Sequence, residues 1–69
     1  MVEVFKTNVQ EAAQSELLVA RLLEHFPGSK INFDLEDCDR ILRIAEQSIS
    51  PQRVIELMTK AGYHCELLS

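Results

Sequence analysis

Residues 30–35, Lys30-Ile31-Asn32-Phe33-Asp34-Leu35, alternate polar and apolar without a break. A period of two is that of a half-buried strand, and a strand with one apolar face must be paired with others and covered on that face. After the short polar segment Glu36-Asp37-Cys38-Asp39, the run Arg40-Ile41-Leu42-Arg43-Ile44 returns to strand-forming residues. The two runs therefore form a hairpin. The connection contains neither Asn-Gly nor Asp-Gly, so its turn type stays open.

The flanking segments extend the pattern. Val2-Glu3-Val4-Phe5-Lys6-Thr7 reads as a first strand with Val2 and Val4 on one side. Asn8, three residues before Glu11, has the spacing of an N-cap with a carboxylate reaching back to it. A helix is expected from Ala12, with Ala12, Val19, Leu22, Leu23 and Phe26 on its buried side and Pro27-Gly28 ending it. Ser50 and Pro51 suit the N-cap and first position of a second helix, in which Val54, Ile55, Leu57, Met58 and Ala61 are apolar and which Gly62 closes. Tyr63-His64-Cys65-Glu66-Leu67-Leu68 reads as a last strand, with Tyr63, Cys65 and Leu67 on one side.

The order βαββαβ in 69 residues predicts one α+β domain, residues 1–69. Its natural closure is the ferredoxin-like sandwich, two helices packed on one face of a four-stranded antiparallel sheet. The expected core is Val4, Val19, Leu22, Phe26, Phe33, Leu35, Leu42, Val54, Met58 and Leu67. This topology also brings Thr7-Asn8-Val9, Asp37-Cys38-Asp39 and Gly62-Tyr63-His64 to one end of the molecule.

Size and charge narrow the function. Below roughly 70–80 residues a single core supplies only a few kcal/mol, and no cleft between domains is available. Eleven acidic residues against seven Lys and Arg disfavour nucleic acid and anionic membrane as partners. Two cysteines cannot make the disulfide framework of a small secreted domain, and no leader pattern or membrane-length apolar run is present. A soluble protein of the reducing cytoplasm is expected.

Over nearly its full length the chain resembles the heavy-metal-associated domain family of small copper chaperones and metal-pump modules. The resemblance lies in Val2-Glu3-Val4-Phe5-Lys6-Thr7, Phe26-Pro27-Gly28, Ile31-Asn32-Phe33-Asp34-Leu35-Glu36, Ile49-Ser50-Pro51 through Val54-Ile55, and Lys60-Ala61-Gly62-Tyr63. It implies the ferredoxin-like fold. The family's ligands are two cysteines in Cys-x-x-Cys between the first strand and first helix, where this chain has Asn8-Val9-Gln10-Glu11, and the preceding Met is replaced by Lys6. Soft Cu(I) prefers sulfur, so the family's metal role does not transfer to Asn8 or Glu11.

Cys38, His64 and Cys65 could together bind Zn, but their spacing carries no metal signature. Cys65 is expected in the core, with alternation sending His64 to the other face. Cys38 is an ordinary turn thiol, a ligand or redox-sensitive thiol, or an intermolecular disulfide partner. No nucleophile pair, phosphate loop or HExxH marks an enzyme, and the loop after the first strand lacks the Arg an acylphosphatase needs.

Alternation assigns Phe5, Ile41 and Leu68 to the outer sheet face, beside Glu3, Asn32, Asp34, Arg43, His64 and Glu66, as a contact surface. One aromatic in an acidic chain does not make an RNA-binding face. The expected function is thus a non-catalytic interaction module without cofactor, its partner another protein or a second copy. The alternative is a divergent metal-binding or metal-chaperone protein using Cys38 with His64 or Cys65.

Overall fold

A computed structural model describes every residue except Met1, Gln47 and Ser69. Its elements are β1 (Val2–Thr7), α1 (Ala12–His25), β2 (Lys30–Asp34), β3 (Ile41–Ala45), α2 (Pro51–Lys60) and β4 (Cys65–Leu67). The strands form one antiparallel sheet in the order β2-β3-β1-β4. Leu18 and Leu22 of α1 and Val54 and Met58 of α2 join Phe5, Leu42 and Ile44 in one buried cluster, so both helices cover the same side of the sheet. The fold is α+β, and among the described residues no helix is long and apolar enough to cross a membrane.

Local chemistry explains the element ends. Ser50 is the N-cap of α2 and Pro51 opens it, where the missing N–H costs nothing. At its other end the Gly62 N–H donates to Thr59 O at 3.0 Å and the Tyr63 N–H to Met58 O at 3.0 Å, with Gly62 at φ 94°. That paired closure needs a left-handed residue, which glycine supplies without strain. At α1 the N-cap is Glu11, three residues later than the Asn8 expected from the sequence. Gln14 Oε1 accepts from the Glu11 and Gln10 N–H groups at 3.2 Å each, leaving Asn8 free for another role.

The inner and outer faces of β1 are exchanged relative to expectation. Phe5 is 0% exposed, in the centre of the core, whereas Val2 is exposed and Val4 only half-buried. The cause is register. Phe5 lies opposite Leu42 on one side and Leu67 on the other, and Leu42 in turn opposes Phe33. That register sets Phe5 in one row with the apolar Phe33, Leu42 and Leu67, so its ring is buried among apolar side chains, whereas Val4 falls in the row of Asn32 and Arg43. Ile41 does lie on the outer face by alternation, but at 6% exposure it is covered rather than open, with Lys6 and Asp34 as its register neighbours. Of the expected contact residues Phe5, Ile41 and Leu68, only Leu68 is exposed.

Other core positions shift for similar reasons. The α1 stripe centres on Leu18 and Leu22, so Ala12 and Leu23 are exposed and Val19 is half-buried. Leu67 has the inward parity but ends a three-residue edge strand and keeps 41% exposure. Phe26, Phe33 and Leu35 pack against the cluster from its margin, and Val9 is fully buried within it.

Phe5→Ala should cost about 3–5 kcal/mol, as deletion of a fully buried aromatic does, and Leu67→Ala far less. Urea unfolding of the two variants checks this. Equal losses would mean that the inner face of β1 is wrongly identified.

Candidate functional site

The three segments that the topology gathers at one end are joined by direct hydrogen bonds. The Thr7 backbone N–H donates to Asp39 O at 3.1 Å, and the Thr7 hydroxyl donates to Arg40 O at 2.6 Å. That same hydroxyl oxygen accepts from the Val9 N–H at 3.3 Å. On the other side of the loop, Asn8 Oδ1 accepts from the His64 N–H at 2.8 Å, tying the end of β1 to the entry of β4. Thr7 is buried and Val9 fully so, which turns the loop's central side chain into the core.

Arg40 holds the β2–β3 connection in place. Its N–H donates to Asp37 O at 3.0 Å, closing a four-residue turn, and its φ of 48° lies in the left-handed region that a non-glycine residue seldom occupies. The guanidinium Nη1 donates to Leu35 O at 2.8 Å and to Gln10 O at 3.5 Å, binding the turn to the β1–α1 loop. Charge-assisted bonds of this kind offset the local backbone cost. Lys6 Nζ adds an exposed ion pair to Asp39 Oδ1 at 3.8 Å.

Asp37, Cys38 and Asp39 carry potential ligand atoms within 4.8 Å of one another, the one such grouping of His, Cys, Asp and Glu among the described residues. The turn explains much of it: Asp37 Oδ1 accepts from the Asp39 N–H at 2.9 Å, and Asp39 faces Lys6. The sequence candidates Cys38, His64 and Cys65 do not converge in it. Cys38 is exposed, whereas Cys65 is 7% exposed opposite Thr7, and burial pushes its thiol up to about 12. His64 is exposed, with Nε2 at 3.8 Å from Glu66 Oε2.

A feature not read from the sequence lies between the helices. A cavity of about 230 Å³ has Leu22 and Met58 in its lining, with Arg21 and His25 of α1 and Arg53 and Lys60 of α2 around it. The chain's overall negative charge hides this concentration of cations. The spacing was available as a signal: Arg21 and His25 stand four residues apart, Arg53 and Lys60 seven apart, each pair on one helical face. Arg53 already faces Glu56 at 3.9 Å.

Two outcomes follow from this geometry. Thr7→Val should cost about 1–3 kcal/mol, because the Arg40 carbonyl and the Val9 N–H lose their shared hydroxyl, and a denaturation midpoint reads the loss. For Cys65 the ordinary thiol value is 9.0 and the folded value about 12. Between them the unfolded chain gives up its proton while the folded chain keeps it, so stability is intact below pH 9 and falls as pH rises above it. The slope attributable to this thiol reaches up to about 1.4 kcal/mol per pH unit, and Cys65→Ala should flatten the pH dependence by that amount.

Comparison with protein-family models, with curated proteins and with solved structures produced no match to the chain.

Proposed function

We propose that the chain is a non-catalytic interaction module of ferredoxin-like, heavy-metal-associated-like fold whose former metal loop now serves structure. The antiparallel order β2-β3-β1-β4, with both helices on one side, supports the fold half of this reading, because two interleaved βαβ crossovers give that order.

The observation that carries the functional half is the closure of the β1–α1 loop by the domain's own groups. Asn8 accepts from the His64 amide, Val9 is buried, and Gln14 takes the Gln10 and Glu11 amides. At the positions where the resemblance would place thiolates there is an occupied amide oxygen and a hard carboxylate. The rival metal reading has less support, since Cys65 at the start of β4 is buried while His64, just before the strand, is exposed. The outer sheet face is open, with Val2 and Leu68 exposed on it and the Leu68 N–H donating to Val4 O at 2.8 Å. There a second protein or a second copy would dock, without nucleic acid or membrane.

Titration with Cu(I) and with Zn(II) against a competing chelator tests the reading. No stoichiometric binding is expected, and any weak binding should vanish in Cys38→Ser. Stoichiometric binding that survives Cys38→Ser would overturn the proposal in favour of a metal protein.

A further inference from the structure

β2 ends the sheet, so one side of it has no strand beside it among the described residues. Edge strands are usually protected by brevity, by proline, by bulges or by charges in mid-strand. β4, the opposite edge, is three residues long with Glu66 at its centre, but β2 runs five residues with charges only at its two ends. Lys30-Ile31-Asn32-Phe33-Asp34 is moreover complementary to itself when reversed about Asn32. Lys30 then faces Asp34 of a second copy, Ile31 faces Phe33, Asn32 faces Asn32, and the same contacts recur on the other side of the axis.

We infer that two copies of this chain pair through their β2 edges, antiparallel about a two-fold axis at Asn32, to form one continuous eight-stranded sheet. The inference rests on the reading of the chain as an interaction module, and places a second copy of the chain at the β2 edge rather than on the outer sheet face. Alternate residues of β2 bond to β3, so the other set turns its N–H and C=O groups to the open edge. An axis at Asn32 satisfies whichever set that is, because Asn32 pairs with itself and Ile31 with Phe33.

Charge selects the register. A slip of two residues one way sets Lys30 opposite Glu36, which lies beyond the end of β2, and the other way opposite Asn32; either leaves Asp34 without a lysine, and parallel pairing sets lysine beside lysine. Asp34 Oδ1 accepts from the Glu36 N–H at 3.2 Å, which leaves its second oxygen for the lysine. The inner side of the same edge is also apolar. A groove of about 500 Å³ between α1 and β2 is lined by Val19, Ala20, Leu23, Ile31 and Phe33, with Ser15, Glu16 and Asn32 as its polar members, and Leu23 is exposed. The two-fold axis lays two such grooves side by side, where each Leu23 loses water contact.

Sedimentation equilibrium of the full chain, Lys30→Asp, Asp34→Lys, the double exchange and an equal mixture of the two single variants tests the inference. Circular dichroism confirms that each is folded. The parent should be a dimer. Each single variant places two like-charge pairs in the interface and should raise the dissociation constant about tenfold or more. The double exchange and the mixture should both recover dimer, the mixture as heterodimer, since an all-acidic edge then meets an all-basic one. A parent that stays monomeric at millimolar concentration overturns the inference. So does a dimer indifferent to the single variants, or a mixture that fails to recover; these results remove the β2 edge while leaving the interaction reading intact, which only the metal titrations overturn.

Discussion

Phe5 is the residue on which the arrangement of this domain depends. It stands in the central strand opposite Leu42 and Leu67, so its inward direction fixes the inward side of three strands at once, and through Leu42 that of β2 as well. In a chain of 69 residues, a core with few large side chains has little redundancy. The helices are positioned by the same choice: Leu18, Leu22, Val54 and Met58 have one apolar surface to cover, and Phe5 is its middle.

At the loop end a second constraint operates. A β1–α1 loop that presents donors to a metal needs side chains directed outward and exchangeable, but here the central residue is buried and the flanking groups are committed to backbone partners. Thr7 at the end of β1 and Arg40 in the β2–β3 connection secure that commitment, each with more than one hydrogen bond. A loop so tied is held rigid rather than free to rearrange around a ligand. The basic side chains Arg21, Arg53 and Lys60 line a separate cavity between the helices.

The elements were readable from the residues because their signals are local: strict alternation at Lys30–Asp34, Ser50-Pro51 before α2, and Gly62 after it. The side of β1 that faces inward was not, because two valines outvote one phenylalanine in a pattern count, while cross-strand register decides the outcome and is not local. Asn8 shows the same limit. Its spacing to Glu11 suits a helix cap, but its bond partner is the amide of His64, 56 positions away in the chain. The gathering of the three loop segments was legible from topology alone. The roles of Arg40, Thr7 and the interhelical cations were not, because no motif marks them.

The helices are attached unevenly. α1 packs mainly against β2 and α2 mainly against β4, the two outer strands, while the contact between the helices themselves is slight. Each helix thus leans toward its own edge strand over a cluster that both share, with the β1–β3 pairing as the seam beneath it. Such a body can breathe by parting its helices without breaking the seam. Amide hydrogens of β1 and β3 would then exchange with solvent only through global unfolding, and those of α1 and α2 through separate, cheaper openings.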